Sequence, residues 1–295
     1  MKIGFFSYNT EYMVKIHRLA MAIEERDFES LWVPEHTHIP VPKANEPSDP
    51  ETGMPLSPAD FFLPEQYKHM SDPFSALGAA AAVTNKIKLG TCVCLPNQHH
   101  PINLAKHLST LDHLSEGRII FGVGAGWNVT EMHHHGVEYK TRWRELRERL
   151  LALQEIWKQE VSEFSGNYVE FGPLWQFPKP LQPRGPKIIF GTMDTPFGRE
   201  QVAKYADGWL PLTFDLKETK QSIEKVRLRM EELGRDPDSL DVSLFFLNET
   251  FPSETEIEIA EETGAERMIF SLPLAQEKDI VKTLDRYVTY LRNDR

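Results

Sequence analysis

The residues best equipped for chemistry stand together at Glu35-His36-Thr37-His38, directly after the short apolar run Trp32-Val33-Pro34. One carboxylate and two imidazoles at the end of such a run suit proton transfer or metal binding, because histidine changes charge near neutrality. Three readings are open. The histidines cap a loop; His36 and His38 form a metal pair; or His36 gives and takes a proton beside a redox cofactor. A metal pair would need more histidines at later strand ends, and Phe190-Gly191-Thr192-Met193 and Trp209-Leu210-Pro211 offer none, so no metal is expected. His133-His134-His135 reads as a solvated or lid segment, since consecutive residues of a helix do not share a face.

Three more segments have ligand-binding character. Leu89-Gly90-Thr91-Cys92-Val93-Cys94-Leu95-Pro96 carries small and β-branched residues that leave room for a flat ring, although an ordinary strand would look the same. Gly122-Val123-Gly124-Ala125-Gly126-Trp127-Asn128 suggests a dinucleotide fingerprint. Trp127 stands where that pattern continues to its third glycine, and the segment lies in mid-chain, so the fingerprint fails. Its glycines still allow close backbone approach, with Trp127 and Asn128 offering a ring and an amide. In Gly191-Thr192-Met193-Asp194-Thr195-Pro196-Phe197-Gly198-Arg199, Thr195 reads as a helix N-cap with Pro196 at the first helical position. A helix start of this kind either binds phosphate or is simply capped.

The elements that must position these residues alternate along the whole chain. Strand-like runs at 2–7, 30–34, 87–95, 119–123, 187–191, 208–212, 241–247 and 267–271 are rich in Ile, Val, Leu and Phe, as strands buried on both faces are. Helical spacing appears at 11–26, 72–84, 101–115, 142–159, 195–206, 216–233, 253–263 and 275–291. Eight such units predict a single (β/α)8 TIM barrel over residues 1–295, with an open doubly wound sheet as the alternative. Two segments interrupt the rhythm: a proline- and acid-rich loop at 39–67, after the second strand, and a small hairpin or lid at 163–183, before the fifth. In such a barrel the loops after the strands form the mouth, and all the segments singled out above fall there.

Bulk properties exclude several classes. A net charge of −11 repels a phosphate backbone, so nucleic acid is not an expected partner. No apolar run reaches membrane-spanning length, and Met1-Lys2-Ile3-Gly4 enters a strand without a leader pattern, so a cytoplasmic protein is expected. The two cysteines, Cys92 and Cys94, are expected to share one strand face, packed in or lining the barrel rather than bridged.

In order and spacing, Ser30 to His38, Leu89 to Val93, His107 to Arg118, Gly122 to Asn128 and Ala206 to Trp209 together resemble the luciferase-like monooxygenase superfamily, in particular its F420-dependent oxidoreductase branch. The resemblance spans nearly the whole chain. It implies that Glu35 and His36 are the acidic-His pair beside a deazaflavin, and that a non-prolyl cis peptide joins Cys92 to Val93. It also implies a ring held against Thr91, Cys92 and Val93 and against Gly124, Ala125, Gly126, Trp127 and Asn128. The phosphate would lie near Gly191, Thr192, Met193, Thr195 and Gly198. One departure bears on cofactor affinity: where relatives carry paired glycines followed by Ser-Pro, this chain has Gly191-Thr192-Met193-Asp194-Thr195-Pro196, with Arg199 and Lys204 as compensating charges. The implied activity is hydride transfer between F420 and a small organic substrate, with His36 handling the proton. The alternatives are an FMN-dependent monooxygenase and a non-catalytic flavin-binding protein. By analogy with relatives, a homodimer is expected.

Overall fold

In the computed structural model, residues 1–41, 63–212, 215–247 and 251–293 are described. The chain begins β1 (Lys2–Phe6), α1 (Ile16–Glu24), β2 (Ser30–Val33), α2 (Pro73–Ala81), β3 (Lys88–Thr91), α3 (Pro101–Leu114) and β4 (Ile119–Val123). It continues with α4 (Val129–His134), α5 (Arg142–Lys158), β5 (Val161–Ser165), β6 (Glu170–Trp175), β7 (Lys187–Met193), α6 (Pro196–Tyr205) and β8 (Gly208–Leu212). It ends with α7 (Leu216–Glu232), β9 (Asp241–Phe246), α8 (Glu254–Glu262), β10 (Arg267–Ser271) and α9 (Glu277–Asn293). Eight strands close a barrel in the order β1-β10-β9-β8-β7-β4-β3-β2, all neighbours parallel, as the alternation of apolar runs and helices predicts. The closure excludes the open sheet.

Burial explains why the strands read as continuous apolar runs: every residue of β2, β4 and β10 is buried. Alternate side chains point to opposite faces. Trp32, Ile120, Ile189 and Ile269 pack with Phe6, Tyr8 and Leu210 in one cluster, while Leu31, Val33, Phe121, Val123 and Phe190 belong to a second with apolar residues of the helices. Trp32 sets the register locally. Its indole donates to Ser30 Oγ at 2.7 Å, and its ring fills the space beside Gly90, where a β-carbon would meet it at 2.3 Å. Arg267 on β10 closes a buried polar layer, donating to Asp241 Oδ1 and Ser243 Oγ, each at 2.6 Å. Here burial opposes both charges, yet each partner holds the other ionised.

The interruptions are partly as expected. The hairpin β5–β6 is antiparallel and lies outside the barrel sheet, and it begins two residues before the segment that the sequence marks out. Of the 39–67 loop, residues 42–62 fall outside the described part, and Glu65–His69 form a short 3-10 turn. The third strand is shorter than its apolar run predicts, because the ladder ends at Thr91. For that reason the two cysteines do not share a face: Cys92 packs with the cluster of Trp32 and Tyr67, and Cys94 with the cluster facing the helices. Both thiols are free. Among the described residues, no helix is long and apolar enough to cross a membrane.

Candidate active site

The strand order makes neighbours of the four ends that the sequence singles out. β2, β3, β4 and β7 are consecutive in the barrel wall, so Glu35-His36, Thr91–Val93, Gly124–Asn128 and Gly191–Met193 stand at or just past the ends of adjacent strands at one rim. Strand-like hydrogen bonding continues past the formal ends. Cys92 N–H donates to Val33 O at 2.8 Å, Cys94 N–H to Gly122 O at 2.8 Å, and Gly124 N–H to Cys94 O at 2.9 Å. The bond between Cys92 and Val93 is a non-prolyl cis peptide, as the resemblance implied.

His36 lies in an aromatic setting, its ring centroid 5.8 Å from Trp127 in an edge-on arrangement and 5.7 Å from Tyr67. Its Nδ1 is 2.8 Å from Glu131 Oε2. Among the described residues Nε2 has no hydrogen-bond partner. Tyr67 packs against Tyr8, and burial, with Tyr8 beside it, pushes the Tyr67 phenol above its ordinary range. Burial also pushes the Cys92 thiol up to about 12, so it stays protonated and unreactive at neutral pH.

Glu35 is placed differently from its neighbour. Its carboxylate is buried, accepts from Leu95 N–H at 2.6 Å and lies 2.7 Å from His99 Nε2, whose ring packs edge-on against Phe74 of α2. Burial opposes its charge, but the hydrogen bond and charge of His99, the Leu95 N–H and the Cys94 thiol together hold its carboxyl below the ordinary range. Glu35 therefore ties the end of β2 to the chain after β3, beside the segment 91–93. Glu35, Cys94 and His99 come close enough to suggest metal ligation. One carboxylate oxygen, however, already accepts from the Leu95 N–H and the other is engaged by His99.

The glycines at the rim serve the protein's own packing. A β-carbon on Gly122 would stand 1.9 Å from Thr91 O, and one on Gly124 or Gly191 would meet the methyl groups of Val93 at 2.8 and 2.6 Å. The space that the sequence suggested for a ligand beside these glycines is thus filled by the Thr91–Val93 segment, which is itself the wall presented at the mouth. Gly126 has φ +86°, a conformation that favours glycine, and it turns the chain into α4. Ala125 is buried with its carbonyl accepting from Asn97 Nδ2 at 3.2 Å. Asn128 caps α4, its Oδ1 accepting from Glu131 N–H at 3.1 Å.

At the end of β7, Thr192 is buried and Thr195 caps α6 as expected, accepting from Gly198 N–H at 3.0 Å. Gly198 is required there, because a β-carbon would stand 2.4 Å from Met193 O. The two compensating charges are already engaged: Arg199 pairs with Asp194, and Lys204 Nζ lies 2.7 Å from Glu200. The first pair neutralises the carboxylate that would repel an anion at the start of α6.

The segment 133–135 is not merely solvated. His134 Nδ1 lies 2.7 Å from His38 Nε2 with the rings stacked, and His135 Nε2 lies 2.8 Å from Thr37 Oγ1. His133 points elsewhere, towards Glu138. Sequence reasoning missed Glu131, Tyr67 and Tyr8. The spacing Asn128-x-x-Glu131 is a helix-start signature that could have placed Glu131 in the first turn of α4. Tyr67 is the last residue of the aperiodic segment 39–67, and nothing local marks it.

Comparison with known proteins agrees with this architecture. The model of the luciferase-like monooxygenase family matches residues 3–277. An uncharacterised protein of Mycobacterium tuberculosis (strain ATCC 25618 / H37Rv) is 35% identical over 293 residues, 99% of each chain. An FMNH(2)-dependent dimethylsulfone monooxygenase of Pseudomonas putida is 29% identical over 159 residues, 53% of this chain and 43% of its own. Among solved structures, an F420-dependent secondary alcohol dehydrogenase in complex with an F420-acetone adduct matches with a TM-score of 0.76 at 17% identity, covering 98% of this chain and 97% of the other. That identity bears on the fold alone. Relatives in sequence include an F420-dependent glucose-6-phosphate dehydrogenase of Amycolatopsis mediterranei (strain U-32), 31% identical over 154 residues, 50% of this chain and 44% of its own, and with the family model matched over almost the full length, this chain belongs to the luciferase-like monooxygenase family.

Proposed function

We propose that the protein is an oxidoreductase that transfers a hydride between coenzyme F420 and a small organic substrate at the carboxyl rim of the barrel. The observation that carries this reading is the setting of His36: an imidazole with one nitrogen engaged, flanked by Trp127 and Tyr67, just after the strand next to the Thr91–Val93 wall. The residues present fit a flat ring. Thr91, Cys92 and Val93 offer an uncharged surface, and Trp127 offers an aromatic one. The start of α6, with Asp194 neutralised by Arg199, suits a phosphate through its helix dipole.

When bound, the deazaflavin would supply the hydride chemistry, and the protein supplies position and electrostatics. His36 holds or releases the proton that accompanies hydride movement at its Nε2. Tyr67 and Trp127 hold the ring from two sides. Glu35 acts at one remove, fixing the chain on which His36 and Val93 sit. A second reading, an FMN-dependent monooxygenase, draws support from the Pseudomonas putida relative.

The test is His36→Ala. Loss of at least about 100-fold in turnover of F420 with a panel of alcohols and carbonyl compounds, at cofactor affinity within about threefold of wild type, is expected for a proton-transfer residue. Unchanged turnover would remove His36 from the chemistry.

A further inference from the structure

We propose that Glu131 is the positioning residue for His36, holding the imidazole in the tautomer that carries its proton on Nδ1 and so leaving Nε2 as the working nitrogen. Its catalytic consequence rests on the function proposed above; the tautomer does not.

His36 Nδ1 lies 2.8 Å from Glu131 Oε2, with side chains 8% and 1% exposed. A carboxylate so far from water is a strong acceptor with no solvent competing for it, and the nitrogen facing it must bring the proton. The two ring nitrogens of a neutral histidine divide one proton between them, so fixing it on Nδ1 fixes Nε2 as the acceptor. Oε1 of Glu131 is buried and has no hydrogen-bond partner, so His36 is the one described side chain that this carboxylate holds.

Glu131 is itself held in place. Asn128 caps its amide, and Gly126 makes the turn that brings α4 to the rim. The neighbouring contacts, His134 with His38 and His135 with Thr37, fasten the same short helix to the same strand end. Three contacts therefore join residues 36–38 to residues 131–135. Only the first reaches the proton-carrying group, and the other two set where the helix sits. A carboxylate behind an imidazole also stabilises the imidazolium that forms when Nε2 takes a proton, as the buried aspartate does in serine proteases.

The tautomer can be read without cofactor or substrate. Nitrogen NMR of histidine-labelled protein at mildly alkaline pH, with the His36 signals assigned by their loss in His36→Gln, is expected to show Nδ1–H in the wild type. Glu131→Gln, which keeps an acceptor, should preserve it, and Glu131→Ala should shift His36 towards Nε2–H. An Nε2–H signal in the wild type, or an unchanged tautomer in a folded Glu131→Ala, would overturn the proposal. If Glu131→Ala does not fold, the wild type and Glu131→Gln decide the question. In turnover, Glu131→Ala should lower kcat about 10- to 100-fold with KM within about twofold, and should cost nothing further in a His36→Ala background. Additive losses would mean that Glu131 does not act through His36. Failure to bind F420 or FMN would sink the proposed function and leave the tautomer result standing.

Discussion

A methyl group of Val93 lies 2.8 Å from where a β-carbon on Gly124 would stand, and Gly191 leaves the same kind of space on the other side. Two glycines on neighbouring strands thus clasp the residue that follows the cis peptide. Gly124→Ala should push Val93 out of this seat, costing about 1–3 kcal/mol in urea denaturation as overpacked sites do. F420 affinity should fall at least about tenfold. Unchanged affinity in a destabilised Gly124→Ala would show that the Val93 seat matters for folding and not for the ligand.

The Glu35–His99 pair is expected to support the fold rather than touch substrate. Removing the Glu35 charge with Glu35→Gln should cost about 2–4 kcal/mol of stability, because His99 and the Leu95 N–H lose a buried carboxylate. Its carboxyl is held below the ordinary value of 4.5, so its contribution is complete above that value and is lost as the pH falls through the lower, folded-state value. Urea denaturation of wild type and Glu35→Gln across the acid range should therefore converge. Parallel curves would contradict the linkage.

The rim helix α4 should loosen in mild acid. Burial, and then the neighbouring His38, lower the proton affinity of His135 below the ordinary value of 6.5, with His99 acting in the same sense and Glu131 and Glu35 against it. The unfolded or detached segment binds the proton more readily. The contribution of His135 is therefore full above about 6.5 and disappears as the pH falls through its lower folded value. Hydrogen exchange, corrected for its intrinsic pH dependence, should show protection of residues 129–135 in the wild type weakening as the pH falls below the ordinary value of 6.5, and a smaller change in His135→Ala.

Arg199 is expected to matter for the phosphate end of a ligand only. Arg199→Ala leaves Asp194 unpaired at the start of α6 and should weaken F420 about three- to tenfold. Asp194→Asn in the same chain should restore the affinity. The phosphate-free deazaflavin should bind equally to all three proteins. If it weakens in parallel, the ion pair acts through the fold.

Periodicity carried most of the architecture. Strands buried on both faces leave long apolar runs and amphipathic helices leave their spacing, so all eight barrel strands were legible, with errors of a few residues at the ends. The error at β3 has a physical cause: the apolar run continues to Leu95 while the ladder stops at Thr91, and alternation fails beyond it. His36 was legible because it follows a strand directly. Glu131 was not, because its partner lies 95 positions away and a glutamate in a first helical turn looks like ordinary dipole compensation. The glycines were ambiguous in the sequence, since a missing side chain shows only that something approaches closely. At Gly122, Gly124 and Gly191 the approaching group is the Thr91–Val93 backbone and side chain, and at Gly126 it is Met132.

A deazaflavin site at the rim beside His36 can be probed by titrating F420 and FMN separately into the wild type and Trp127→Phe while following protein fluorescence. Saturable quenching by F420 at much lower concentration than by FMN is expected, with part of it lost in Trp127→Phe. Preferential binding of FMN, or quenching by F420 that is indifferent to Trp127, would contradict that site.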